Sequence, residues 1–226
     1  MAFRIFDVNE TEQKASSDDI VGRFRSGHQI NGRPMALSSW RVTGADPVVL
    51  STLSEIMGGN EDPAKWDTKS EETYEIFTTS TEVEIIIDGP KALKTGMVLW
   101  GRKGLIRSCD GVTQTDDAQT ECACPSDLRE RKEAAKNGSA CEPSIQIYFR
   151  LALNPELGKL KFFTGSWTFA KEIWKAEARL EEIGGPAHAT LGLEVISFTT
   201  KDGKEITYTK PKLDVHDAAD DAAAPF

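Results

Sequence analysis

The residues able to do chemistry in this chain are its four cysteines. Cys109 is followed after twelve residues by Cys122, after one more by Cys124, and after sixteen by Cys141. Thiolates are soft ligands, and four of them fill a tetrahedral shell around zinc. The set lies between two apolar runs, Gly96–Arg107 and Ser144–Leu153, so the cysteines close an excursion between two strands. Inside it, Pro125–Gly138 reads as a short capped helix over 127–136, with Ser126 as N-cap and Gly138 as stop. That helix would be about 15 Å long at ~1.5 Å per residue. The five steps from Lys136 to Cys141 reach at most ~17 Å, so Cys141 can return beside Cys124.

One Cys-x-Cys and no Cys-x-x-Cys sets this spacing apart from a standard finger. Four reduced thiols, or two disulfides in an oxidising compartment, are the alternatives. The loop holds few apolar residues, so free cysteines would have little core to join. Zinc on Cys109, Cys122, Cys124 and Cys141 is the reading adopted. A shell filled by protein ligands leaves no open position for catalysis, so the site is expected to be structural.

No other constellation suggests an enzyme. There is no phosphate loop, dinucleotide-binding glycine turn or Gly-x-Ser-x-Gly elbow, and His28, His188 and His216 stand in unrelated segments. The 226 residues, 39% hydrophobic, suffice for one sizeable domain. No window matches a membrane span, and the N-terminus carries no signal-peptide apolar region, so a cytoplasmic protein is expected. The net charge of −9 argues against a sequence-independent grip on nucleic acid, and little or no direct DNA binding is expected. The charge is patterned, however. Residues 61–88 carry nine acids and two bases, whereas 89–107 carry five bases and no acid. A local basic ridge is one reading of that stretch; outward positions of a solvated hairpin are the reading preferred. Core packing is expected for Trp100, Trp167 and Trp174, while Trp66, in a polar loop, could also anchor a partner.

These residues need a scaffold. Residues 1–19 read as a flexible arm. Strands are expected over 22–27, 36–43, 73–79, 81–88, 96–107, 145–153 and 158–167, with a closing hairpin of 189–200 and 204–210. Helices are expected over 46–57, where Pro47 fits the first turn and Gly58-Gly59 the end, and over 169–183. In the second, Phe169, Ile173, Ala176, Leu180 and Ile183 form one apolar stripe capped by Ser166 or Thr168. Strands without regular β-α-β alternation predict one α+β domain over 20–212. It has a mostly antiparallel sheet, two or three helices and the zinc-binding excursion at 109–141. Residues 213–226 read as a disordered acidic tail.

Several segments in order resemble one family: Gly22-Arg-Phe-Arg-Ser-Gly27, Gly32-Arg-Pro-Met-Ala-Leu-Ser-Ser-Trp-Arg-Val-Thr43, Met57-Gly-Gly59 with Trp66, Leu105-Ile-Arg-Ser-Cys-Asp-Gly111, Leu191–Thr200 and Tyr208-Thr-Lys-Pro211. Together they resemble the recombination directionality factors of actinomycete phages, the type that partners a large serine integrase. The resemblance spans roughly 20–212. It implies a non-enzymatic protein that binds its integrase on attachment-site DNA and switches it from integration (attP × attB) to excision (attL × attR). The alternative is a phage single-stranded-DNA-binding protein with an oligonucleotide-binding-like barrel. The C-terminus bears on this alternative. Asp220, Asp221, Pro225 and Phe226 resemble the acidic tips of bacterial single-stranded-DNA-binding proteins, and would recruit a protein that reads such tips.

Overall fold

The computed structural model describes residues 19–30, 32–59, 62–116, 119–200 and 202–219. The N-terminal arm, save Asp19, lies outside these residues. So do Asp220, Asp221, Pro225 and Phe226, the residues expected to form the tip. The described chain is an α+β fold with a mostly antiparallel, eleven-stranded sheet and four α-helices.

The sheet turns on β8 (Glu142–Leu151). Ile145, Ile147 and Phe149 are buried, while Ser144, Gln146 and Tyr148 alternate with them on the opposite face. On one edge β8 pairs with β9 (Lys159–Thr164). Beyond β9 come β1 (Ile20–Ile30), β2 (Arg33–Gly44), β4 (Tyr74–Phe77) and β3 (Ala64–Lys65). The β1–β9 contact is parallel.

The other edge of β8 serves two strands in succession. Ile86 of β5 (Glu82–Ile87) opposes Arg150, and Leu93 of β6 (Leu93–Gly101) opposes Ile147. Four more residues are spent on the β5–β6 side than on β8, and the 3-10 turn Pro90–Ala92 takes them up. The sheet therefore forks. β5 carries β10 (Ala187–Thr199) and then β11 (Glu205–Ala218), whereas β6 carries β7 (Gly104–Cys109). Among the described residues no ladder joins β11 to β3, so the sheet is open where a closed barrel was the alternative.

Helix α1 (Pro47–Met57) begins as expected. The Asp46 carboxylate accepts from Val48 N at 2.8 Å, with Pro47 in the first turn. It buries Leu50, Leu53 and Met57 against the sheet. There Phe24, Trp40, Phe149 and Phe162 meet edge to face, with centroids 5.2–5.4 Å apart. α2 (Leu128–Lys136) lies in the excursion.

Four expectations need correction. The strand expected over 96–107 is a hairpin: Gly104, at φ 128°, lets the chain reverse after Arg102-Lys103, giving β6 and β7. The helix expected over 169–183 is two, α3 (Trp167–Ala170) and α4 (Trp174–Ile183). Three-residue bonds, Glu172 N to Phe169 O and Lys175 N to Glu172 O, tighten the backbone between them. Even so, Phe169, Ile173, Ala176 and Leu180 remain one buried stripe.

The closing strand, expected to end at Lys210, continues to Ala218, so residues 213–218 belong to the sheet. Leu213 and Val215 pack on the core, Lys212 pairs with Asp214 at 2.5 Å and Arg179 with Asp217 at 3.4 Å. Burial of one face outweighs the acidic composition of the other. Lastly, Trp100 and Trp174 are 61% and 59% exposed, and Trp167 is half-buried with Lys132 over its ring. Trp66 is held within the chain: its indole N–H donates to Glu72 O at 2.6 Å, and Arg41 lies 4.5 Å from its centroid.

Trp40→Ala is expected to lower unfolding free energy by about 3–5 kcal/mol in urea titrations. Trp174→Ala, on the exposed face of α4, should change it by less than about 0.5 kcal/mol.

Candidate metal centre

The excursion leaves from β7, whose last residue is Cys109. Asp110 then builds a turn, accepting from Val112 N at 2.8 Å and Thr113 N at 2.7 Å. These backbone bonds hold its carboxyl below the ordinary range. Gly111, at φ 109°, supplies the backbone conformation the reversal needs. The returning chain bridges Gln114 to Cys109 and Glu121 to Thr113, and Cys122 N donates to Val112 O at 2.7 Å. Cys122 is thereby returned beside Cys109.

Helix α2 spans the next gap. Its cap is Asp127, one residue later than the Ser126 expected, and it accepts from Arg129 N at 2.9 Å and Glu130 N at 3.0 Å. The carboxylate also complements the positive end of the helix, which a hydroxyl would not. Arg131 Nε donates to Pro125 O at 2.6 Å, tying the helix to the segment after Cys124. Gly138, at φ 67°, ends the helix as expected, and Ser139 Oγ donates to Ala134 O at 2.9 Å. Cys141 then enters β8.

All four cysteines are buried in one cluster. The Sγ atoms of Cys109, Cys122 and Cys141 lie within 4.8 Å of one another, whereas Cys124, the fourth expected ligand, stands outside that group. Cys124 Sγ accepts the backbone N–H of Cys141 at 3.1 Å. The cysteines are free thiols in this structure rather than disulfides. They form a core of their own with Leu99 and Ala140, packed by Met97, Ala134 and Ala135 and separate from the main core. Apart from a few small side chains, sulfur is what this excursion buries.

Burial pushes the Cys141 thiol up to about 12, helped by hydrogen bonding with Cys124 and opposed by Arg107. Burial works against the Arg107 charge as well. Its hydrogen bond to Cys141 and the fields of Cys124, Cys141 and Cys122 nevertheless raise its pKa on balance. A bound cation reverses the penalty on the thiols, since it deprotonates coordinating sulfur and neutralises the resulting charge. The donor set fits a soft metal ion, and the cluster could hold one. Arg107 would offset the negative charge left over. Sequence reasoning gave Arg107 no role at the cysteines. Its position two residues before Cys109 in one strand, hence on the same face, was the available signal.

The described histidines do not join this centre. His216 Nε2, for example, lies 2.7 Å from Thr190 Oγ1 on the β10–β11 hairpin. No described helix is long and apolar enough to cross a membrane.

The model of the Gp3-like family, described as recombination directionality factor-like, matches residues 21–216. The chain belongs to this family. Its matched region runs from β1 into β11 and contains the whole excursion, so the sulfur cluster lies inside the Gp3-like domain. No solved structure matches the chain.

Purified protein is expected to carry about one equivalent of thiolate-bound metal per chain, measured by elemental analysis. Cys122→Ser should remove it and cost about 3 kcal/mol, seen as a melting temperature roughly 10 °C lower.

Proposed function

We propose that this protein is a recombination directionality factor of an actinomycete phage, acting in the host cytoplasm. It binds a serine integrase on attachment-site DNA and switches it from attP × attB integration to attL × attR excision. The family match over residues 21–216 carries this reading. The serine type of the integrase rests on the ordered sequence segments that resemble factors of that class. The factor is not an enzyme. It acts by differential affinity, binding the excision-competent arrangement of the integrase more tightly than the other. A preference of about 3 kcal/mol shifts the ratio of the two arrangements roughly a hundredfold.

In this reading the cysteine cluster holds zinc and is structural. It joins the end of β7 to the start of β8, fixing the β6–β7 hairpin at its base. Closed tetrahedral thiolate sites contribute folding energy rather than chemistry.

Recombination assays with the cognate integrase test the proposal directly. Adding the protein should raise attL × attR product at least tenfold and suppress attP × attB product. An integrase that co-purifies with the protein and shows no change in either reaction would overturn it.

A further inference from the structure

The face of the sheet opposite the main core holds two neighbouring cross-strand rows, each with at least one cation and one ring. In one, Lys94 on β6 opposes Gln146 on β8, which opposes Phe163 on β9. In the next, Tyr148 on β8 opposes Lys161 on β9, which opposes Arg23 on β1. Lys161 Nζ lies 4.9 Å and Lys94 Nζ 5.3 Å from the Tyr148 ring centroid, so one ring serves both lysines. Phe163, an aromatic in mid-sheet, is 54% exposed. The β1–β2 hairpin and Trp100 at the end of β6 wall this floor into a trough of about 890 Å³.

The charge of the trough is opposite to that of the chain. The whole sequence is at −9, yet Arg23, Arg25 and Lys161 line this surface and Lys94 adjoins it. Glu72 bridges Arg23 and Arg25, lying 2.9 Å from Arg25 Nη2, and neutralises one of them. Lys94 and Lys161 have no carboxylate partner among the described residues. The cations that stay available are therefore the two lysines that flank the half-buried Tyr148 ring.

We propose that this face binds single-stranded DNA, with phosphates on Lys94 and Lys161 and bases stacked on Phe163 and Trp100. Aromatic faces take any base, and neighbouring cations take the phosphates, which together form the platform that grips a flexible single strand. The five strands β6, β8, β9, β1 and β2 span about 19 Å at ~4.8 Å per strand. That is room for about four nucleotides, the lower end of sheet-module site sizes. A duplex keeps its bases stacked and offers the rings nothing. An acidic protein segment would satisfy the lysines but does not call for a ring beside each cation. The overall negative charge does not forbid such a site, because exposed charges more than about 10 Å away are largely screened at ~0.1 M salt.

Fluorescence anisotropy of a labelled oligothymidine of about 20 nucleotides with the full-length, metal-loaded protein tests this. Binding should appear at low salt, weaken steadily as salt rises, and exceed that of a duplex of the same length. Lys161→Glu, Phe163→Ala and Trp100→Ala should each weaken it about tenfold or more at unchanged melting temperature. Lys175→Glu, on the exposed side of α4, should not. Absence of binding at low salt, equal affinity for duplex, or variants that bind like the parent would each overturn the proposal. It also fails if Lys161→Glu abolishes integrase binding while no oligonucleotide is bound, which would give the face to a protein partner. The recombination assays stand or fall independently of these measurements.

Discussion

Strand β8 sits under two constraints at once, and the rest of the structure follows from them. Its inward residues, Ile145, Ile147 and Phe149, must lie against the aromatic cluster around Phe24 and Trp40. Its edge must satisfy the backbone groups of β5 along one stretch and of β6 along another. Unpaired buried backbone groups are expensive, so both ladders have to form. The extra residues between Ile86 and Leu93 allow them to do so in sequence. The fork that results places the β10–β11 hairpin on one branch and the β6–β7 hairpin, with its cysteine excursion, on the other.

The two branches solve the burial problem differently. The β10–β11 branch uses ordinary hydrophobic packing: Ala187, Ala189, Leu191 and Leu193 belong to the main core, as does the stripe presented by α3 and α4. The β6–β7 branch has too few apolar residues for that. Its interior is sulfur, with Leu99 and Ala140 as the other buried members. A cluster of buried thiols gains little by itself, because neutral S–H groups bond weakly. Metal coordination would change the balance by supplying a strong bond to each ligating sulfur and a positive charge that offsets the thiolates. The same economy is seen in small domains whose cores are too slight to fold unaided.

The outer face of the sheet follows from the inner one. Because side chains alternate, fixing Leu160 and Phe162 inward obliges Lys161 and Phe163 outward. Antiparallel sheets often leave such a face to solvent with scattered polar residues. Here the residues at those positions are cations and rings, concentrated where the chain as a whole is acidic. Arg41 shows the contrast: it is buried against Glu75 and covered by Trp66, and so serves the structure. Lys161 faces the trough.

Much of this was legible in the residues themselves wherever the information is local. Period-2 alternation marked the strands, Asp46-Pro47 and Gly58-Gly59 bounded α1, and the spacing of four cysteines with a short helix between them announced that the sulfurs could meet. The ordered segments from Gly22 to Pro211 pointed to recombination directionality factors, and the match over 21–216 bears this out at the level of a recombination directionality factor-like family. Other features depended on partners distant in sequence. That Lys94, Tyr148 and Lys161 share one face, that Arg107 lies against the cysteine cluster, that Trp100 stays in solvent while Trp40 does not, and that β11 runs past Leu213 were decided by tertiary structure. A period states which residues point together along one strand, but not which strand lies beside it. Registers such as Lys94 with Gln146 and Ile86 with Arg150 are set by the packing of the whole core.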